Sequence, residues 1–208
     1  MTMSKNMSEN DGKTADAAEE THGKPRHKEP WPNGCCFINR KDFNKVIFLD
    51  MDGVMNPAFA GNSYITKGSA NALKRIVAET GAKVVLSTSW REFPDWAHFL
   101  RDFFAILDIE VIGATPVLRL KDCPEGTQDE RPVEIRTWLE QFGGDIGSGM
   151  VNYVVFDDND YRRDFPNHAV CTCAAGRIGL DEEWANDAIA ILKVRKEWKH
   201  GKGEVCAG

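Results

Sequence analysis

The chain has 208 residues, of which 42% are hydrophobic, and a formal net charge of −6 at pH 7. This length suits one domain with its own core, and the acidic balance gives no general attraction for nucleic acid or an anionic membrane. The sequence lacks a signal-peptide core and any apolar run that could cross a bilayer, so we expect a soluble, cytoplasmic protein without membrane partners.

Composition divides the chain into a tail, a domain and a second tail. Positions 1–30 contain no branched aliphatic or aromatic side chain. Such a segment cannot offset the entropy of ordering, so we predict a disordered tail and lead-in over 1–36. The catalytic domain is predicted at 37–200 and a flexible C-terminal tail at 201–208. The six cysteines lack paired Cys-x-x-Cys spacing, which favours free thiols over a zinc site.

A buried strand followed by two aspartates is the central feature of the sequence. The apolar run Val46–Leu49 is typical of a strand buried on both faces. Asp50 and Asp52 follow it, and Gly53 lets the backbone turn so that both carboxylates can gather at the carboxyl edge of a sheet. Two close carboxylates repel each other unless a cation lies between them, which indicates Mg²⁺. The alternative is an acidic turn after a core strand.

Further strands and helices alternate along the chain. Apolar runs predict strands that begin near Lys83, Ile109, Tyr153 and Ala169. Helical spacing predicts helices over Ser69–Thr80, Pro94–Leu107 and Arg131–Phe142, and a last helix that Asp181 caps. The aromatic stripe of the second helix is predicted to face the core. This alternation indicates an α/β fold with a mainly parallel five-stranded sheet and helices on both faces.

Two further strand ends carry polar side chains. Ser87, Thr88 and Arg91 follow the second strand, and the acids Asp157 and Asp158 end the fourth. Since the carboxyl ends of parallel strands share one edge of the sheet, all of these groups are expected in one site.

These residues resemble the motifs of the haloacid dehalogenase (HAD) superfamily, with Asp50 to Gly53 as motif one, Ser87 as motif two, and Asp157 with Asp158 as motif four. The sequences Ser87-Thr88-Ser89-Trp90-Arg91 and Arg131-x-x-Glu134-Ile135-x-x-Trp138-Leu139, with the later Gly179-Leu180, are similar to the small HAD domain of Swiss Army Knife RNA repair proteins. The resemblance spans about Val46 to Leu192. It implies a HAD-like Rossmannoid three-layer sandwich. Few residues lie between the motifs, so a minimal (C0-type) cap or none is expected.

The resemblance also implies Mg²⁺-dependent phosphomonoester hydrolysis. Asp50 would attack phosphorus to form an aspartyl-phosphate, and Asp52 would act as general acid and base. The implied Mg²⁺ ligands are Asp50, the main-chain carbonyl of Asp52, and Asp158, with Asp157 and Asp160 as neighbouring acids.

Phosphate binding is expected from the second strand end and a cation. The resemblance implies that Ser87 and the amide of Thr88 contact phosphoryl oxygens. The third motif of the superfamily is usually a lysine; here the candidates are Arg131, which we prefer, and Lys121. Arg91 is a further phosphate-binding candidate, with a salt-bridged arginine as its alternative.

The substrate is left open among phosphorylated partners. An uncapped site would admit a phosphate on a nucleotide or a nucleic-acid end, which we prefer to a small metabolite such as a sugar phosphate. A local basic rim would help; its candidate members are Arg91, Arg119, Lys121, Arg131, Arg162 and Arg163. A non-catalytic module that binds phosphate or Mg²⁺ is the alternative from another class.

Overall fold

The computed structural model describes residues 43–56, 64–143, 151–173 and 179–194. The predicted tails at 1–36 and 201–208 lie outside the described residues. So do most of the loop that follows Asn56 and most of the glycine-rich loop that follows Gly143.

The described residues form alternating strands and helices. The strands are β1 (Lys45–Leu49), β2 (Lys83–Leu86), β3 (Val111–Ala114), β4 (Asn152–Asp157) and β5 (Ala169–Cys171). The α-helices are α1 (Lys67–Thr80), α2 (Pro94–Ile106), α3 (Arg131–Phe142) and α4 (Glu182–Lys193). Two short 3-10 helices cover Ser89–Glu92 and Leu120–Asp122.

The strands make one parallel sheet in the order β3-β2-β1-β4-β5. β1 is central, and Leu49 pairs with Leu86 on one side and with Phe156 on the other. The predicted α/β architecture with a five-stranded parallel sheet is confirmed, and every strand pair in it is parallel.

Helices cover both faces of this sheet. Ile47 and Leu49 of β1 pack into a core with α1, α2 and α4, whereas Val46 and Phe48 pack with Trp138 of α3. Successive strand residues point to opposite faces, so a strand covered on both sides is apolar throughout. The three-layer arrangement therefore explains the unbroken apolar run of β1.

Helix termini follow local signals. The Thr66 side chain accepts a hydrogen bond from the Ser69 amide and caps α1, which begins at Lys67 rather than Ser69. Gly81 ends this helix with φ 69°, a left-handed conformation that favours glycine. Asp181 caps α4 as predicted by accepting from the amides of Glu183 and Trp184. β3 begins at Val111, two residues later than the predicted strand.

The aromatic stripe of α2 corrects the sequence prediction. Leu100 and Phe104 are buried against the sheet, but Trp96 is 44% and Phe99 48% exposed. Trp96 and Phe99 lie one position before the buried residues Ala97 and Leu100, and one position rotates a side chain by about 100° around the helix. Trp96 and Phe99 therefore lie beside the buried face of α2 and are partly exposed to solvent.

Between the strands, the described residues include no inserted cap domain. The connection from β3 to α3 holds only the short 3-10 helix Leu120–Asp122 and irregular chain. Among the described helices, none has the length and apolar character needed to span a bilayer.

Candidate active site

Three carboxylates meet at the carboxyl edge of the central strands. Asp50 follows β1 and Asp157 ends β4, and the Asp50 amide donates to the Phe156 carbonyl at 3.0 Å. One oxygen from each of Asp50, Asp157 and Asp158 lies within 4.8 Å of the others. Asp50 and Asp157 are only 7% and 2% exposed, and Asp158 is half-buried. Strand pairing thus brings together acids that lie more than a hundred positions apart in the chain.

Arg131 is the cation that contacts these acids. Its Nη1 lies 2.9 Å from Oδ2 of Asp157 and 3.3 Å from Oδ1 of Asp50. Arg131 is the first residue of α3, and Asp129 accepts a hydrogen bond from its amide. Lys121, the other candidate for the basic motif, is exposed in the 3-10 helix Leu120–Asp122. The contacts therefore favour Arg131 for that role.

Burial and charge change the acidity of these groups. Burial and, to a lesser extent, the nearby Asp50 carboxylate raise the pKa of Asp157 to about 7, against the opposing effect of Arg131. Burial also raises the pKa of Asp50, although Arg131 opposes it. Burial lowers the pKa of Arg131, but Asp50 and Asp157 outweigh that effect and its pKa rises. When all three carboxylates of the cluster are ionised, their negative charge exceeds the single positive charge of Arg131.

Arg91 is buried, and each of its five side-chain N–H groups donates a hydrogen bond. Its Nη2 donates to Glu134, and its other N–H groups donate to main-chain carbonyls of Ser87, Thr88, Thr115 and Pro116. The Arg91 side chain is 3% exposed. This position corrects the expectation that Arg91 contacts phosphate and matches the salt-bridged alternative.

Asp52 is not one of the three clustered acids, and two hydrogen bonds hold its carboxylate. The indole Nε1 of Trp90 donates to Oδ2 of Asp52 at 2.9 Å, and Nδ2 of Asn56 donates to Oδ1 at 3.0 Å. Asn56 is itself held because its Oδ1 accepts from the Gly53 amide. The Asp52 side chain is exposed, so a substrate can reach this fixed carboxylate.

Gly53 gives Asp158 the space it occupies. Its φ is 71°, and a Cβ at this position would lie 2.5 Å from the Cβ of Asp158. The Thr172 hydroxyl donates to the Gly53 carbonyl at 2.8 Å, which ties this turn to the end of β5. A side chain at position 53 would therefore displace a carboxylate of the cluster.

The hydroxyl groups after β2 take different roles. The Thr88 hydroxyl accepts from the Trp90 amide at 3.3 Å, and the Thr88 side chain lowers the pKa of Asp50. Ser87 is fully buried, and its Oγ has no hydrogen-bond partner within the described part of the chain. An unpaired buried hydroxyl costs free energy, so a bound acceptor such as a phosphoryl oxygen would satisfy it.

The acid cluster fits a divalent metal ion. Three close carboxylates, two of them buried, supply the oxygen ligands that hard cations prefer. A dication would also neutralise the charge that Arg131 leaves uncompensated. Asp160 instead pairs with Arg162, its Oδ1 and Oδ2 lying 2.7 Å from Nε and 2.6 Å from Nη2. Among the described residues, Asp50, Asp157 and Asp158 are thus the side chains grouped closely enough to hold a metal.

The basic rim has fewer open charges than expected. Arg91 is buried, Arg119 pairs with Glu92 at 3.1 Å, and Arg162 pairs with Asp160. Each pairing reduces the positive potential available to a polyanion.

Sequence reasoning missed three residues that organise the site. Asn56 is assigned no role from the sequence, and Trp90 and Glu134 are named there only as part of the resemblance. Asn56 lies four positions after Asp52, and Glu134 three after Arg131, so short-range spacing carried a signal for both. The contact between Trp90 and Asp52 spans 38 positions and has no local signal.

Comparison with protein-family models matches residues 46–185 to the model for the HAD domain in Swiss Army Knife RNA repair proteins. No curated protein and no solved structure matches the chain. The matched range contains the acid cluster, Asp52, Ser87 and Arg131.

Proposed function

Because this chain belongs to the family of HAD domains found in Swiss Army Knife RNA repair proteins, we propose that it is a Mg²⁺-dependent phosphomonoester hydrolase that forms an aspartyl-phosphate. The observation that carries this proposal is the cluster of Asp50, Asp157 and Asp158 around one arginine, beside a separately held Asp52. A nucleophile and a proton carrier need different surroundings, and the two aspartates of motif one have them.

Asp50 is the proposed nucleophile. Its carboxylate lies 3.3 Å from Nη1 of Arg131, and the Met51 amide and the Thr88 side chain lower its pKa against the effect of burial. An oxygen of Asp50 attacks phosphorus as the bond between phosphorus and the leaving oxygen breaks. Arg131 and the buried Ser87 hydroxyl stabilise the negative charge on the transferring group.

Asp52 is the proposed general acid and base. It gives its proton to the leaving oxygen in the first step. In the second step it accepts a proton from the water that attacks phosphorus, and the bond between phosphorus and Asp50 breaks to release inorganic phosphate. The hydrogen bonds from Trp90 and Asn56 support this role because they hold the carboxylate in one orientation.

The metal would be held by Asp50, Asp157 and Asp158, with the main-chain carbonyl of Asp52 as a further ligand. When bound, Mg²⁺ supplies positive charge that offsets the repulsion between the carboxylate nucleophile and the phosphate. The preference of the chain's own acids for oxygen-binding cations supports Mg²⁺ over softer metals.

The proposed substrate is a phosphorylated nucleotide or nucleic-acid end. The family description refers to RNA repair proteins, and the described residues leave the acid cluster without an inserted cap domain. Both observations favour a phosphate carried on a large molecule over a small metabolite that a cap would enclose.

Hydrolysis of an aryl phosphate tests the reaction. Activity should need Mg²⁺ and disappear in EDTA, and Asp50→Asn should lose more than the roughly 10²-fold to 10⁴-fold expected for a missing general acid or base. Asp160→Asn is the matched control, since Asp160 is an acid near the site that pairs with Arg162. Equal turnover by wild type and Asp50→Asn would refute the assignment.

A further inference from the structure

A row of aromatic side chains runs from the candidate active site along α2. Ring centroids lie 4.8 Å apart for Trp90 and Trp96, 5.8 Å for Trp96 and Phe99, and 5.9 Å for Phe99 and Phe103. Nearly half of the Trp96 and Phe99 surfaces is exposed. We call these four residues the aromatic row. Contiguous exposed apolar surface of this kind marks interaction sites in soluble proteins.

Trp90 joins the aromatic row to the reacting groups. Its indole Nε1 donates to Oδ2 of Asp52 at 2.9 Å, while its ring packs against Trp96. In the proposed mechanism Asp52 protonates the leaving oxygen, so the leaving group must lie against Asp52. The part of the substrate beyond that oxygen therefore lies next to Trp90 and the start of the row.

We propose that the aromatic row stacks the bases of a single-stranded nucleic acid whose phosphorylated end is bound at Asp50. This inference rests on the proposed function and names how the same site recognises its substrate. Flat aromatic faces bind bases of any sequence, because every base has a π face. Trp96 and Phe99, the exposed rings of the row, can each take a base, whereas a sugar phosphate has no planar group to stack.

Three of the six basic-rim candidates are unavailable to a phosphate backbone, which favours stacking over backbone recognition. Arg119 and Arg162 are paired with Glu92 and Asp160, and Arg91 is buried. The net charge of −6 also opposes a polyanion. Binding that depends on stacking rather than on counterion release should weaken little as salt rises.

The test compares two fluorescent oligonucleotides that carry the same phosphates. One is intact, and the other lacks the bases of the three nucleotides next to its phosphorylated end. Each is made in one version with a 3′-phosphate and in another with a 5′-phosphate. Affinity is measured by anisotropy with Mg²⁺ in the Asp50→Asn background, which prevents turnover. Adding Trp96→Leu should weaken binding of the intact oligonucleotide by about tenfold and not that of the abasic one, because only the bases stack. Trp96→Phe should retain most of the affinity.

A control variant separates stacking from general surface change. Ile106 is 82% exposed at the last position of α2, outside the aromatic row, so Ile106→Ala should not alter either affinity. Phe99→Ala should repeat the effect of Trp96→Leu. Thermal melting of each variant checks that the fold is intact.

The outcomes separate this inference from the proposed function. If Trp96→Leu and Phe99→Ala weaken both oligonucleotides equally, or neither, stacking is refuted while hydrolysis through Asp50 stands. If the wild type is a dimer that Trp96→Leu dissociates, with no dependence on bases, the row is an interface between copies and the inference fails. If base-dependent binding persists but wild type hydrolyses no phosphate ester, the stacking surface stands and the proposed function fails.

Discussion

Glu134 and Arg91 form an ion pair in which the two side chains are only 4% and 3% exposed. Oε1 of Glu134 also accepts from the Leu118 amide at 2.9 Å, and Oε2 lies 3.7 Å from Nε of Arg131. Glu134 thus connects the buried Arg91 to the arginine that contacts Asp50. We infer that this pair sets the position of Arg131.

Glu134→Gln should lower both stability and turnover. Removing one partner of a buried pair leaves an uncompensated charge, which costs about 3–5 kcal/mol in the free energy of unfolding. Urea denaturation measures this loss, and kcat on an aryl phosphate should fall as Arg131 loses its support. Glu140→Gln removes an exposed carboxylate from the same helix and should leave both quantities near wild type. Similar stabilities for the two variants would contradict the argument.

Arg131 should tolerate lysine better than methionine. Arg131→Lys keeps a positive charge near Asp50 and Asp157, as the usual lysine of motif three in the superfamily does, but loses the planar fork. Arg131→Met removes the charge and should lower kcat by roughly 10²-fold to 10³-fold, the scale of one lost transition-state donor. Steady-state kinetics of both variants at saturating Mg²⁺ tests this order. Lysine and methionine variants of equal activity would remove Arg131 from the transition state.

Mg²⁺ should stabilise the folded protein independently of turnover. A ligand that binds only the folded state adds about 2.7 kcal/mol at a hundred times its Kd. The melting temperature should therefore rise with Mg²⁺ concentration in the wild type. Asp158→Asn should largely lose this rise, because it removes one of the three clustered carboxylates. Asp160→Asn should keep it, and a loss of the rise in that control would show that the metal lies elsewhere.

Metal-free protein should show a specific pH dependence at Asp157. Burial raises the pKa of this carboxyl from 3.8 to about 7, so the folded state holds the proton more tightly than the unfolded state does. Its contribution to stability is complete below about pH 4 and is lost as pH rises through about 7. In EDTA, the free energy of unfolding of Asp157→Asn relative to wild type should therefore increase from pH 5 to pH 8. A constant or falling difference would contradict this sign.

The sequence predicted features that have local signals. The apolar run before Asp50, the end of α1 at Thr80 and the Asp181 cap each depend on a few neighbouring residues, and all three are observed. The prediction that the aromatic stripe of α2 faces the core was wrong. Periodicity in the sequence identifies a helix but does not give the rotation of that helix about its axis relative to the sheet. A rotation of one position separates Trp96 from Ala97, which is buried.

The candidate site was only partly predictable for a related reason. Strand ends locate Asp50, Ser87 and Asp157, since parallel strands share an edge. The choice between Arg131 and Lys121, and the burial of Arg91, depend on where α3 begins relative to the sheet. That relationship is tertiary, and sequence spacing alone does not contain it.

The register between β1 and β4 fixes the number of residues that each of these strands must have before its aspartate. Leu49 pairs with Phe156, so the next residue on each strand is a carboxylate, Asp50 beside Asp157. One inserted or deleted residue in either strand would turn the following side chains to the opposite face of the sheet. A deletion in β4, for example, would move Asp157 to the position of Phe156, which packs in the apolar core. Homologues of this chain should therefore vary in the length of their loops, while the distance from the start of each of these two strands to its aspartate stays fixed.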